Sequence, residues 1–250
     1  MKLSRRFISA SLATSLALTL SACNGGEDVE SASLEGEPIA AIEAPDGQAW
    51  TDVVTVTDAD GYLIGNPDAP LKLIEYASHT CGGCAYFSVN GVPPLKSNYV
   101  STGVVSLELR NLVRDPVDLA IATLVRCGEA SSMQPLSDQA WANFNDVVPP
   151  AYEWLQNAQG LEGLSTGERM VRIGTETGLV DFFAARGLSA DKARTCLADG
   201  EAIEAIAQRS QDQVQELGLT GTPSFILNGQ KLNVSQWEGL EPILQRAGAR

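Results

Sequence analysis

The chain has 250 residues with 31 acidic and 17 basic side chains, so its formal net charge at pH 7 is −14. Such an acidic surface argues against binding of nucleic acid, and against binding of an anionic lipid surface by the protein itself. The length that remains after an export signal fits one domain of ordinary size or one domain with a sizeable insertion.

Residues 1–22 have the pattern of a lipoprotein signal peptide. Basic residues precede the apolar run 7–20, which is too short to span a bilayer comfortably. The run ends in the sequence LSAC at residues 20–23, which resembles the lipobox of bacterial lipoproteins. This resemblance implies cleavage before Cys23 and a lipid on Cys23 that holds the protein to a bacterial membrane. An ordinary signal peptide that leaves Cys23 free is the alternative.

Residues 23–50 are rich in glycine, serine, alanine, proline and acidic residues, and they show no hydrophobic period. This composition predicts a flexible acidic tether between the membrane and the folded domain. A small apolar cluster at residues 39–42 could dock weakly onto that domain.

Two predicted strands lead to a pair of cysteines. The runs 53–57 and 71–76 are typical of strands. Cys81 and Cys84 follow the second run, at the head of a helix that is interrupted by prolines and continues to about residue 99. Residues 104–109 predict a strand that completes a βαβ unit. Unpaired N–H groups at a helix start favour a thiolate, so Cys81 is predicted to be a nucleophile at neutral pH.

The next hundred residues predict helices. Asp115 is a candidate N-cap, followed by a proline in the first turn. Helical patterns are centred on Leu119, on Trp141 with Phe144, on Tyr152 with Trp154, on residues 170–177, on residues 190–197 and on the long stripe 202–217.

The chain then returns to sheet. Residues 223–227 and 230–234 flank Asn228-Gly229, a strong hairpin signal. Ser235 and Glu238 predict a capping box for a final helix. The expected organisation is a sheet domain in two parts, 51–114 and 218–250, with a helical insertion at 115–217.

This order of elements resembles the DsbA family, and the resemblance covers about residues 51–250. It implies an α/β thioredoxin-like fold with an inserted all-helical subdomain. Cys81 and Cys84 match the catalytic pair of the family. Thr222-Pro223 matches the active-site loop with a cis proline, which would hold a substrate strand beside the pair. Glu75 matches the buried acid under the site, where it could exchange a proton with Cys84.

The resemblance implies thiol–disulfide exchange through the cysteine pair itself, without a cofactor. Oxidising members of the family commonly have a histidine between the cysteines, where this chain has Gly83. Gly82 and Gly83 offer backbone donors but no charge, so a less oxidising pair is expected. His79 could stabilise the Cys81 thiolate, and a loop histidine without a catalytic role is the alternative favoured here.

Cys127 and Cys196 are the remaining cysteines, and they have no close cysteine partner or nearby histidine. A structural disulfide between them is favoured over two independent buried thiols in an exported protein. No second close pair is present for zinc and no late histidine for copper, so no metal site is expected.

The sequence therefore predicts a monomeric, membrane-tethered thiol–disulfide oxidoreductase in the periplasm or at the cell surface. Its expected partners are exported proteins that contain cysteine, a membrane protein that recycles the active pair, and the membrane through the lipid on Cys23. Oxidation of substrates is the leading direction. A reductase or isomerase with a reduced pair is the alternative, and a peptide-binding lipoprotein without catalysis is a more distant one.

Overall fold

The structure is a computed structural model, and it describes residues 34–250. The predicted signal peptide, Cys23 and the first part of the predicted tether lie outside the described residues. Within residues 34–250, no helix is both long and apolar enough to cross a membrane. The strands are β1 (Val54–Val56), β2 (Tyr62–Ile64), β3 (Leu71–Ala77), β4 (Val105–Asn111), β5 (Ser224–Leu227) and β6 (Gln230–Lys231). The helices are α1 (Gly82–Asn90), α2 (Val92–Asn98), α3 (Pro116–Val125), α4 (Ala130–Ala142), α5 (Phe144–Asn157), α6 (Thr166–Glu176), α7 (Leu179–Ala184), α8 (Ala190–Ala198), α9 (Gly200–Leu217) and α10 (Trp237–Arg246).

The strands form one mixed sheet in the order β1-β2-β4-β3-β5-β6. β3 and β4 are parallel and are joined through α1 and α2, while the other neighbouring pairs are antiparallel. The predicted βαβ unit, the helical insertion and the thioredoxin-like fold class are therefore confirmed. β3 lies in the middle of the sheet and carries the chain directly into the cysteine pair at the start of α1.

β2 was not predicted from the sequence. Its three residues lie between two turn signals, and so short a run gives no usable period. In the structure all three are buried, and they pair with both β1 and β4. At the other edge of the sheet, β6 has only two residues, although a strand over 230–234 was expected.

Two local predictions about helices were wrong, and one short helix was missed. Trp141 and Phe144 do not share a helix, because Trp141 lies near the end of α4 and Phe144 begins α5. The short helix α7 was not predicted. The expected capping box at Ser235 is absent from the described chain, because α10 begins at Trp237 and its N-cap is Gln236, without a side-chain hydrogen bond.

The described part of the predicted tether, residues 34–50, is held against the folded domain, and the docking considered for residues 39–42 is found, because Ile39 packs against the core. The backbone N–H of Gly36 donates to Arg246 O, and the N–H of Ile39 donates to Gly248 O, each at 2.9 Å. The N–H of Ile42 donates to Thr102 O at 2.8 Å. These contacts are made largely by the main chain, so they leave no hydrophobic period in the sequence.

The larger apolar core lies between the active-site helix and the helical insertion. Cys84 and Ala85 of α1 belong to the same buried cluster as Ile121, Met133 and Trp141 of the insertion. The insertion thus packs directly behind the cysteine pair, and its residues can influence the site.

Candidate active site

Cys81 is the N-cap residue of α1. Its backbone is extended, and its Sγ accepts a hydrogen bond from the Cys84 N–H at 3.4 Å. Cys81 keeps 7% of its surface exposed and Cys84 none, and both are free thiols in this structure. The arrangement presents one sulfur at the edge of the protein and keeps the second behind it.

The loop before β5 meets the cysteine pair. The Thr222–Pro223 peptide bond is cis, and the carbonyl oxygen of Thr222 lies 3.2 Å from the Sγ of Cys81. A Cβ on Gly83 would stand 3.3 Å from the Pro223 Cδ and 3.7 Å from the Cys81 Sγ. A Cβ on Gly82 would meet nothing within 4 Å. Gly83 is thus the glycine that permits the close approach of this loop.

The surroundings of Cys81 favour its thiolate. The pKa of Cys81 is lowered to about 5, chiefly because the Cys84 thiol can donate a hydrogen bond to the sulfur. Burial acts in the opposite direction, while the Thr222 side chain and the backbone N–H groups of Cys84 and Gly83 lower the pKa further. At neutral pH Cys81 is therefore the nucleophilic sulfur.

The pKa values of Cys84 and Glu75 are raised, in contrast to that of Cys81. Burial raises the pKa of the Cys84 thiol far above its ordinary value, and the hydrogen bond to Cys81 and the charge of Glu75 raise it further. Glu75 is 2% exposed on β3, between the strand neighbours Leu109 and Phe225. Burial, with smaller contributions from Asp138 and Cys81, raises the pKa of Glu75 to about 8. Near neutral pH, Glu75 can therefore either give or take a proton.

His79 lies in the loop between β3 and α1 and is fully buried. Its ring stacks on Trp141 with centroids 4.7 Å apart, and its Nε2 lies 3.0 Å from Ser137 Oγ. Its Nδ1 is 3.7 Å from a carboxylate oxygen of Asp118. His79 is not among the main groups that shift the pKa of Cys81. Its contacts fix it against the helical insertion.

A buried hydrogen-bond network that the sequence analysis did not find holds the loop before Cys81. Ser78 Oγ donates to Asp118 at 2.7 Å, and the His79 N–H donates to the same carboxylate at 2.8 Å. Thr80 Oγ1 donates to Asp115 at 2.9 Å, and the Tyr152 hydroxyl donates to Asp115 at 2.6 Å. Asp115 was predicted only as a helix N-cap, a role that it also has. Asp118 in the first turn of α3 resembles an ordinary exposed acid in sequence.

Cys127 and Cys196 are joined by a disulfide. Cys127 follows the end of α3, and Cys196 is on α8. The bond therefore links the first helix of the insertion to a late one. In the described part of the chain, no group of three or more His, Cys, Asp or Glu side chains could hold a metal ion.

Comparison with known proteins gives a consistent result. A family model described as Thioredoxin matches residues 57–246. The match covers most of the sequence, so the chain belongs to the thioredoxin family. A protein-disulfide isomerase from Novosphingobium aromaticivorans has a crystal structure that covers 74% of this chain and 96% of its own, with 29% identity and a TM-score of 0.67.

Two further matches extend this result. The crystal structure of Wolbachia pipientis alpha-DsbA1 is 22% identical with a TM-score of 0.58, and it covers 76% of this chain and 92% of its own. This likeness confirms the DsbA-like fold. A Rickettsia bellii protein with the provisional name protein-disulfide oxidoreductase is 25% identical over 173 residues, which are 69% of this chain. The chain spans only 58% of that relative's length.

Proposed function

We propose that this protein is an extracytosolic thiol–disulfide oxidoreductase that exchanges disulfides with cysteine-containing exported proteins. The observation that carries the proposal is the asymmetry of the pair: the pKa of Cys81 is lowered to about 5, while burial raises that of Cys84. A stabilised thiolate at a partly exposed helix N-terminus, beside a shielded second thiol, is the arrangement that disulfide exchange requires.

In the oxidising direction, a substrate thiolate attacks the Sγ of Cys81 in the Cys81–Cys84 disulfide. The Cys81–Cys84 bond breaks, and Cys84 leaves as a thiolate that takes a proton from Glu75. A second substrate thiolate then attacks the substrate sulfur of the mixed disulfide, so the substrate disulfide forms and Cys81 leaves as a thiolate. The two electrons of the substrate thiols remain on the reduced pair, and a membrane redox partner would remove them.

Oxidation of substrates is the direction we favour. The reduced pair is stabilised by a low thiolate pKa, and this makes the corresponding disulfide a stronger oxidant. Gly83 provides no charged side chain to stabilise the thiolate, and this limits the oxidising power of the pair. A specific observation supports the second candidate, an isomerase: the 29% identical Novosphingobium protein bears that name.

Two further features belong to the proposal. A lipid on Cys23 would hold the protein at a bacterial membrane, on the periplasmic side or at the cell surface. The protein would act as a monomer, because one copy contains the complete set of Cys81, Cys84, Glu75 and the Thr222-Pro223 loop.

The decisive measurement is the reduction potential of the Cys81–Cys84 pair against glutathione, together with oxidation of reduced, unfolded ribonuclease. We expect a potential between about −180 and −120 mV and rapid formation of ribonuclease disulfides. A potential near about −270 mV with no net oxidation would contradict the oxidase assignment and favour a reductase. Cys81→Ser serves as the inactive control, and Cys84→Ser should trap the mixed disulfide.

A further inference from the structure

Proton supply to Cys84 is restricted by its surroundings. Cys84 has no exposed surface, and Glu75 is only 2% exposed. The strand neighbours of Glu75 are Leu109 and Phe225, which cannot carry a proton. Glu75 and Cys84 can therefore exchange a proton within the interior, and groups packed on the helix side of Glu75 can influence where that proton resides.

A second carboxyl group lies on that side. Asp138 belongs to α4, which packs against α1. Its Oδ1 accepts hydrogen bonds from Ser88 Oγ and from Gln134 Nε2, each at 2.9 Å. Ser88 is one helical turn beyond Cys84, so the two side chains share a face of α1. Asp138 is thus tied to the face of α1 that carries Cys84.

Asp138 also borders a groove formed by α1, α2 and α4. The groove has a volume of about 600 Å³, and Ser88, Val89, Lys96 and Asp138 are among the residues that line it. Asp138 therefore lies between the face of α1 that carries Cys84 and an opening at the surface.

Neighbouring charged groups affect the pKa values of both Glu75 and Asp138. The charge of Asp138 from α4 and that of Cys81 from the start of α1 both raise the pKa of Glu75. Burial raises the pKa of Asp138, whereas its donors Gln134 and Ser88, and the charges of Lys96 on α2 and His79, lower it. On balance the pKa of Asp138 is raised, because burial is the largest influence, and the charge that Asp138 carries when ionised favours a protonated Glu75.

We propose that Asp138, held between α1 and the groove, acts through Glu75 as a positioning residue that controls when Glu75 holds its proton. The inference rests on the proposed function. In the reductive half-cycle, Glu75 takes the proton of the Cys84 thiol as Cys84 attacks a mixed disulfide on Cys81. In the oxidative half-cycle, Glu75 returns a proton to the departing Cys84 thiolate.

The test uses 5,5′-dithiobis(2-nitrobenzoate) and the full-length reduced protein. The Cys81 thiolate attacks the reagent and releases one thionitrobenzoate. Cys84 then attacks Cys81: its proton passes to Glu75, the Cys81–Cys84 bond forms, and the second thionitrobenzoate leaves. The rate of the second release, followed by stopped flow across pH, reports the protonation of Glu75.

We expect Asp138→Asn to move the midpoint of this pH profile to lower pH by about 0.5 unit or more, because a negative charge near Glu75 is removed. The thiolate titration of Cys81 at 240 nm should change much less. Ser88→Ala should shift the profile in the same direction by a smaller amount, because Asp138 loses a donor and carries less charge. Asp181→Asn, on the exposed surface of α7, is the matched control and should leave the profile unchanged.

A double-variant cycle tests the dependence on Glu75. Glu75→Gln should remove the transition from the pH profile of the second release. Adding Asp138→Asn to Glu75→Gln should then leave that profile unchanged. The inference is overturned if Asp138→Asn and Asp181→Asn give the same profile, or if Asp138→Asn has its full effect in the Glu75→Gln background. Release of only one thionitrobenzoate by the unmodified protein would instead overturn the proposed function, and the inference with it.

Discussion

The Sγ of Cys81 lies 3.2 Å from the carbonyl oxygen of Thr222, although 141 positions of sequence separate the two residues. The hydroxyl of Thr222 is buried and has no hydrogen-bond partner among the described residues, and it is one of the groups that lower the pKa of Cys81. The loop before β5 thus offers an acceptor when Cys81 is a thiol and a donor when it is a thiolate.

The Thr222 hydroxyl should contribute to the low pKa of Cys81. Thr222→Val keeps the shape of the side chain and removes the donor, so the pKa of Cys81 should rise by several tenths of a unit to about one unit. Thr222→Ser retains a hydroxyl and should stay close to the unmodified protein. The pKa of Cys81 in both variants is measured from the thiolate absorbance of the reduced protein at 240 nm. Equal titrations for the two variants would show that the hydroxyl has no such role.

The Cys84 thiol should contribute more than any other single group to the low pKa of Cys81. Cys84→Ala removes the donor to the Cys81 sulfur and should raise the pKa of Cys81 from about 5 by one unit or more. Cys84→Ser keeps a donor at the same position and should produce a smaller rise. The pH dependence of alkylation by iodoacetamide is the measurement. If both variants retained the original titration, the backbone N–H groups and the Thr222 hydroxyl would account for the low pKa without the Cys84 thiol.

Glu75 should make stability depend on pH. Its pKa is raised in the folded protein to about 8 from an ordinary 4.5, so folding is opposed progressively as pH rises from about 4.5 to 8. Glu75→Gln removes this cost, and its gain in unfolding free energy should grow over that window to at most about 5 kcal/mol.

Urea unfolding of the reduced protein at pH 5 and pH 8.5 is the measurement for Glu75. Glu153→Gln, at an exposed position of α5, is the control and should show no such growth. A Glu75→Gln gain that is equal at both pH values would contradict a raised pKa for Glu75.

The glycine next to Cys84 should limit the oxidising power of the pair. Gly83→His would place an imidazole beside the Cys81 thiolate, so the reduction potential should become more positive by about 30 mV or more, equivalent to tenfold in the exchange constant. Gly83→Ala controls for the contact with Pro223, and Gly82→Ala should be nearly neutral because its Cβ meets nothing within 4 Å. Equilibration with glutathione gives the potentials; identical values for Gly83→His and Gly83→Ala would exclude the charge effect.

The Cys127–Cys196 disulfide should stabilise the insertion without taking part in exchange. Replacement of both residues by alanine should lower the unfolding free energy by about 2–4 kcal/mol, since the bond closes a long loop of the unfolded chain. The pKa of Cys81 should remain near 5. Urea denaturation and thiolate titration measure the two effects, and a loss of exchange activity in a folded double variant would contradict this division of roles.

The sequence predicted those parts of the site that leave a short-range pattern. Cys81 and Cys84 stand at a strand-to-helix junction, and Pro223 opens a hairpin strand. Glu75 is a single acid in an apolar strand. Each of these can be recognised within a few residues, and the family resemblance relates them to one another.

Residues that depend on packing between distant elements could not be predicted in this way. Ser88 and Asp138 are 50 positions apart and meet only because α4 lies on α1. Asp118 resembles any acid in the first turn of a helix until the structure shows it 1% exposed beneath Ser78. Neither carboxylate interrupts a hydrophobic period in a way that would have revealed its burial.

The carboxylates of α3 have a consequence for protein engineering. Asp115 and Asp118 belong to the insertion, yet they bind Thr80 and Ser78 immediately before the nucleophile, with Tyr152 as a further support. If another helical block replaced this insertion, the hydrogen bonds that hold the loop before Cys81 would therefore be lost. A chimera should have an intact catalytic centre only if the grafted block carries the equivalents of Asp115, Asp118 and Tyr152 at matching positions.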